Sequence, residues 1–314
     1  MRISLDFPLN VSKIPLRAYL ILIGSQLAVG AAAIFARFAL HGAGACAASA
    51  LRLTIAAIPL AIYSWFANGK LSILWKHEIV LALAGVFLAV HFSAWIGSLL
   101  YASVAASTLL VSTAPVWTVL YDALVLKHRT TLRFWIAFFA GAGGVILIAT
   151  AKSTRAPITG LAPFGDFLAM TGGLAFALYL IAIRSLSKLY PTTLIVARTY
   201  SWAAFALWIA ALITHQELPG NDPISWSGII AMAIVSQMIG HTGLNASLRS
   251  FMSSTVAFST LLEPVFAAAL AVIIFGEELT IQTLFGSVIV LIALSIILKL
   301  QSADKSTVLV DSGL

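Results

Sequence analysis

Charge is what this sequence has least of: of its 314 residues only 9% are Asp, Glu, Lys or Arg, against about 25% in an ordinary soluble domain. That shortage excludes a water-soluble globular enzyme. Cysteine is nearly absent, and the single Cys46 excludes both an internal disulfide framework and a cysteine-based metal centre. Catalytic signatures are missing as well. The sequence has no HExxH, GxSxG or P-loop lysine motif, and no dinucleotide fingerprint following a strand. The loops are too short to fold into a catalytic or nucleotide-binding domain, which argues against an ATP-driven pump. An intramembrane protease would need a serine paired with a base, and no such motif accompanies His91 or His241. No cofactor and no metal is implied.

What the chain does have is apolar length. Residues of the AVILMFWYC set make up 61%, and the mean hydropathy is +1.03. A helix crossing a bilayer needs about 20 apolar residues. Ten runs of that size are readable, near 18–40, 45–67, 79–101, 105–126, 132–151, 163–185, 192–214, 227–248, 254–276 and 280–300. They are continuous rather than alternating, so the expected fold is an all-α polytopic membrane protein and not a barrel. The stretch before Arg17 is interrupted by Asp6, Pro8, Asn10 and Pro15, and the first apolar run has full span length. It therefore reads as a retained helix rather than a cleaved signal.

The net charge of +7 is a topology signal. With the N-terminus in the cytoplasm, thirteen of the eighteen Lys and Arg residues fall in inside segments, and only Lys152 and Arg155 in outside loops. Arg37, Arg52 and Arg198 lie within spans. This asymmetry places both termini on the cytoplasmic side of an inner (plasma) membrane, and no nucleic-acid partner is expected. The lipid bilayer and a small-molecule substrate are the expected partners, with a monomer as the working unit.

The chain also repeats itself. HFSAWIGSLLYASVAASTLLVSTAP, from His91 to Pro115, is answered by HTGLNASLRSFMSSTVAFSTLLEP, from His241 to Pro264. Aligning the prolines pairs Thr131 with Thr280, Ala137 with Gly286 and Gly144 with Ala293. Five spans per half is an odd number, so the halves must insert with opposite orientation. Lys127-His128-Arg129 after the first proline stands against Gly276-Glu277-Glu278 after the second, as expected if one loop is cytoplasmic and the other is not. The expected organisation is a cytoplasmic segment 1–17, a first five-helix repeat 18–151, an inverted second repeat 163–300 and a cytoplasmic tail 301–314. Inverted repeats are a recurring architecture of secondary transporters, with the substrate near the midplane between them.

At HFSAWIGSLLYASVAASTLLVSTAPVW and at STVAFSTLLEPVFAAALAVIIFGEELT with Gly286, the sequence resembles the drug/metabolite transporter superfamily. Within it the similarity is to the ten-helix EamA-type permeases, and it extends over roughly residues 18–300. The resemblance implies two inverted five-helix repeats around a central cavity, working by alternating access. It also implies export of amino acids or similar metabolites, as well-known bacterial relatives do. Where the family tends to place a Glu shortly after the fourth span, this chain has Lys127-His128-Arg129.

Polar side chains inside the spans are the candidate site residues, because each needs a partner or a wet cavity. His91, Trp95 and Ser98 share one face of the third span, offering a ring and two polar handles. Gln237, His241 and Asn245 form the matching face of the eighth, beside Gly240 and Gly243, which equally suit close helix packing. Trp117 and Tyr179 are further candidates to line the cavity. Glu263 precedes Pro264 in the ninth span, and a carboxyl beside a helix bend is suited to carry a proton during transport. Pro115 and Pro264 are the expected bending points. Arg37, Arg52 and Arg198 lie near span ends and are expected to reach the interface, with Arg52 also able to grip a carboxylate. Two other readings stand beside amino-acid export. One is transport of cationic or nucleotide-like metabolites such as S-adenosylmethionine, held by aromatic faces. The other is a membrane sensor or scaffold that moves nothing.

Overall fold

In hydrocarbon every backbone N–H and C=O must be satisfied within the protein, so a spanning segment is helical or part of a closed barrel. The computed structural model describes residues 14–68, 72–102, 104–127, 131–150, 161–275 and 280–311, and every regular element among them is helical. The first apolar run forms α1 (Leu16–Gly30) and α2 (Ala32–Ala39), joined at Ala31. The 24-residue helices α3 (Ala45–Asn68) and α4 (Trp75–Ser98) follow, each about 36 Å long at about 1.5 Å per residue. Next come α5 (Val104–Val111), α6 (Ala114–Leu124) and α7 (Leu132–Thr150).

The second half opens with α8 (Ala162–Leu186) and α9 (Thr192–Ile213). A compound rod follows, in which α10 (Pro223–Ala231) passes through a π-helix (Met232–His241) into α11 (Thr242–Ser247). Another comprises α12 (Ser253–Ser259), a 3-10 turn (Thr260–Leu262) and α13 (Glu263–Phe275), and α14 (Ile281–Asp311) closes the chain.

Among the described residues, nine helical stretches are long and apolar enough to cross a membrane, which makes this a multi-pass membrane protein. The remaining expected span, 105–126, is two helices of 8 and 11 residues placed end to end. Boundaries shift where capping decides them. The eighth segment starts at Pro223 rather than 227, because the Asp222 carboxylate accepts from the backbone N–H of Ile224 and Ser225 and Pro223 sits in the first turn. The last helix runs on to Asp311, through most of what was expected to be a polar tail. Residues 128–130 and 276–279, which carry the charge exchange between the two halves, lie outside the described residues.

The principal packing pairs are α3 with α9, α4 with α8, and α7 with α14, together with α1 against the π-helix and α11, and α2 against α10. Small residues permit these approaches. A Cβ at Gly144 would stand 2.7 Å from the Gly286 carbonyl oxygen, and one at Gly286 would stand 2.6 Å from the Gly144 carbonyl oxygen. The backbones of α7 and α14 therefore cross where neither can carry a side chain. The outward faces of both helices are apolar, with Ile136, Phe139, Ile146, Leu284 and Phe285 exposed, as suits contact with lipid.

Polar ties fasten the bundle at each end of α3. At its N-terminus, His41 Nδ1 lies 2.7 Å from Asp222 Oδ2, and the Gly44 N–H donates to the Glu217 carbonyl at 3.0 Å. Gln216 Oε1 accepts from the N–H of Cys46 at 2.7 Å, satisfying a free donor of that helix start. Beyond its C-terminus, the Tyr190 hydroxyl meets His77 Nδ1 at 2.8 Å, and Arg249 donates to the Tyr190 carbonyl at 3.1 Å. The hydrogen bond to His41, with the N–H groups of Ile224 and Ser225, holds the Asp222 carboxyl below the usual carboxylate range.

Gly286→Val or Gly144→Val should cost about 1–3 kcal/mol by overpacking and lower the melting temperature in detergent. Gly143→Ala, where a Cβ meets nothing within 4 Å, should leave stability unchanged or raise it. The Asp222 carboxylate stabilises only while ionised, so its contribution is complete above the ordinary carboxylate range and disappears as pH falls through its depressed value. Melting curves of wild type and Asp222→Ala should therefore differ at neutral pH and converge in strong acid.

Candidate functional site

His91 and Trp95 sit one helical turn apart on α4, and their rings stack in parallel, 6.2 Å between centroids with 4° between planes. His91 Nδ1 is 3.0 Å from the Gly172 carbonyl on α8. A carbonyl only accepts, so Nδ1 carries a proton, and in the neutral ring Nε2 is then the acceptor. Across from it, His241 ends the π-helix, its ring 6.2 Å from that of His91. Phe176 from α8 packs against both, at 4.8 and 5.8 Å. Gly240 lets α1 close on this wall, since a Cβ there would meet Val29 Cγ2 at 2.6 Å.

The other walls come from two broken helices. Proline has no N–H, so Pro115 leaves the Val111 carbonyl without its helical partner, and Pro264 does the same to Thr260. At these positions α5 gives way to α6 and α12 to a 3-10 turn. Val111, Ser112, Thr260 and Glu263 therefore face one interior space together with Val29, His91, Trp95, Phe176 and His241. Glu263 stands in the first turn of α13, where the helix dipole favours a carboxylate. The cavity encloses about 360 Å3 of empty space including its open part, of which only about 20 Å3 admits the centre of a water molecule. That is room for water rather than for a metabolite, so a solute enters only when the helices around the space move apart.

Several lining groups have no partner. Trp95 Nε1 and His241 Nδ1 are buried without a hydrogen bond among the described residues. The Glu263 carboxylate faces the space with no hydrogen bond or ion pair among the described residues. Buried polar groups are normally satisfied, so an unmatched donor, a ring nitrogen and a carboxylate around one cavity make it the candidate binding site.

Of the residues singled out in the sequence, His91, Trp95, His241 and Glu263 meet in this cavity, and Pro115 and Pro264 stand just past its two helix breaks. The others are not among its lining residues. Ser98 donates to the Trp95 carbonyl at 2.6 Å and lies 2.5 Å from the Ser107 hydroxyl, joining α4 to α5. Tyr179 donates to Asn245 Oδ1 at 2.9 Å, and Asn245 Nδ2 donates to the His241 carbonyl at 2.6 Å. This pair positions the turn that carries His241. Trp117 packs half-buried against the core. Gln237 Oε1 accepts from Arg52 Nε at 2.9 Å.

Arg52 corrects an expectation. Arg37 and Arg198 are exposed, but Arg52 is fully buried and does not reach the interface. Its guanidinium carbon lies 4.0 Å from the centroid of the Phe92 ring. Ring and amide together hold the charge inside, and neither partner is near Arg52 in the chain. Ser112 and Thr260 were also missed, although their places three and four residues before a proline carry the signal of a freed carbonyl.

The EamA-like transporter family matches this chain twice, over residues 16–150 and 163–299. The chain is 26% identical over 286 residues to the uncharacterized transporter YyaM of Bacillus subtilis (strain 168), covering 88% of this chain and 92% of the relative. It is 24% identical over 287 residues to the uncharacterized transporter YcxC of the same organism, covering 88% and 90%. A solved crystal structure superposes with a TM-score of 0.74 at 18% identity, over 91% of this chain and 97% of the other, a likeness of fold. With family matches covering nearly its whole length, the chain belongs to the EamA-like transporter family.

Proposed function

We propose that this protein is a secondary transporter that exports small amine-bearing metabolites, amino acids foremost, across the inner membrane by alternating access, with both termini cytoplasmic. The observation that carries this reading is the cavity where the broken helices meet, with Glu263 to face an ammonium and Trp95 and His241 to orient the rest of the solute. Nothing in this arrangement calls for an enzyme.

Two inverted five-helix halves, 18–151 and 163–300, supply the moving parts. The principal helix pairs support that division, because they persist when the halves are exchanged: α3–α9 and α7–α14 map onto themselves. The α4–α8 contact maps onto that of α1–α2 with the α10–α11 rod. The double family match supports it too. Rocking of one half against the other would open the space alternately to each side, with the breaks before Pro115 and Pro264 acting as hinges.

Glu263 is the candidate for proton coupling. A carboxylate without a partner in a low-dielectric space is stabilised either by a proton or by a cationic solute, and exchange of one for the other would link their movements. The aromatic walls of Trp95 and Phe176 beside this carboxylate also favour a second reading, transport of cationic or nucleotide-like metabolites such as S-adenosylmethionine.

Uptake of a radiolabelled amino-acid panel into proteoliposomes, with and without an imposed pH gradient, tests both readings. Gradient-dependent amino-acid flux is the expected result. Glu263→Gln should abolish the gradient effect, and Trp95→Phe should raise KM about 3- to 10-fold, the equivalent of one hydrogen bond. Flux of S-adenosylmethionine or a quaternary amine without amino-acid flux would establish the second reading. Specific binding without any flux would identify a sensor.

A further inference from the structure

Arg52 and Gln237 lie outside the lining of the cavity, and the transport reading has not used them. Both are fully buried. The hydrogen bond from Arg52 Nε to Gln237 Oε1 fixes which way the amide faces, and so leaves the Gln237 NH2 as a donor. Among the described residues neither that Nε2 nor Arg52 Nη2 has an acceptor in hydrogen-bonding geometry, although the Tyr200 hydroxyl lies beside both side chains. Two side chains bonded to each other thus present two unmatched N–H groups, one of them on a cation, in the interior of a membrane protein.

Burying a cation is costly unless an anion compensates it. The acid within Arg52's electrostatic reach is Glu263, and no ion pair joins them. Phe92 touches both regions, with its ring against the Arg52 guanidinium and edge-on to His241 at 5.1 Å. The interior therefore carries a cation and a carboxylate that no ion pair joins, and the Phe92 ring reaches from the Arg52 guanidinium to His241 on the cavity wall.

We propose that Arg52 and Gln237 form the carboxylate-binding end of the site, so that the transported solute is a zwitterion with its carboxylate on this donor pair and its ammonium toward Glu263. A guanidinium flanked by an amide donor fits the two oxygens of a carboxylate. The cavity described above stops short of this pair, so a rearrangement of the Phe92 side chain is required when the bundle opens. This assignment rests on the transport reading and narrows its substrate class.

The test uses the full-length protein in proteoliposomes and the amino acid that gives the largest flux in the panel. Competition is measured with three analogues of it: the carboxamide, the decarboxylated amine and the deaminated acid. In wild type all three should compete at least about tenfold more weakly than the amino acid itself, as expected for loss of a charge-assisted hydrogen-bonded partner. In Arg52→Gln the preference for the amino acid over its amide and amine should collapse toward one, while the preference over the deaminated acid remains. In Glu263→Gln the pattern should reverse. A merely structural Arg52 would weaken all competitors together and leave the ratios unchanged, which overturns the proposal. Equal competition by amino acid and amide in wild type overturns it without any variant and leaves the transport reading standing. No flux for any amino acid removes the transport reading for this solute class, and this assignment with it.

Discussion

The structure depends on the rule that backbone polar groups inside a membrane must find partners within the protein, at a cost of several kcal/mol for each group that does not. Facing lipid, a helix cannot be interrupted. Interruptions are therefore confined to places where freed carbonyls and N–H groups face other protein or a polar space. Here the gap before Pro115, the 3-10 turn before Pro264 and the π-helix ending at His241 all converge on one cavity. Elsewhere, α3, α4, α8 and α9 run unbroken for more than twenty residues each. The irregular backbone and the polar side chains occupy the same volume because each is tolerated only there.

That arrangement gives each class of residue a distinct task. Glycines such as Gly144 and Gly286 bring α7 and α14 close without a side chain between them. Serines and the Tyr179–Asn245 pair stitch helices together and hold neighbouring turns in register. Unmatched groups at Trp95 and His241 line the cavity with Glu263, those at Arg52 and Gln237 are buried beyond its lining, and others, such as Trp117 and Gln301, also stand apart from it. A transporter needs its binding groups unsatisfied before the solute arrives and satisfied afterwards, and under the proposed mechanism the helix breaks are the hinges that let the solute in.

Much of this was legible in the residues themselves. Hydropathy located the spans, because the length and apolarity required to cross a bilayer are local properties. Pro115 and Pro264 stand just past two breaks in the helices. The i, i+4 spacing put His91 and Trp95 on one face, and the repeated segment brought His241 opposite. Ser98, Tyr179 and Asn245 were harder, because a polar residue on an inward face reads the same whether it binds a solute or a neighbouring helix. In the structure they bond to Ser107 on the next helix and to each other across 66 residues.

Arg52 marks the boundary most clearly. Its distance from a helix end suggests a side chain that reaches for the interface, and Arg37 and Arg198 are exposed as that pattern expects. Arg52 turns inward because Phe92 and Gln237, 40 and 185 positions away, stand where the guanidinium can lie over a ring and donate to an amide. The sequence by itself determined the helical, membrane-spanning class and the approximate spans, since these follow from solvation and backbone chemistry along the chain. Only the tertiary structure decided which polar groups are satisfied and which are left open to a ligand. Satisfaction is a property of distances between helices, and no local pattern encodes it.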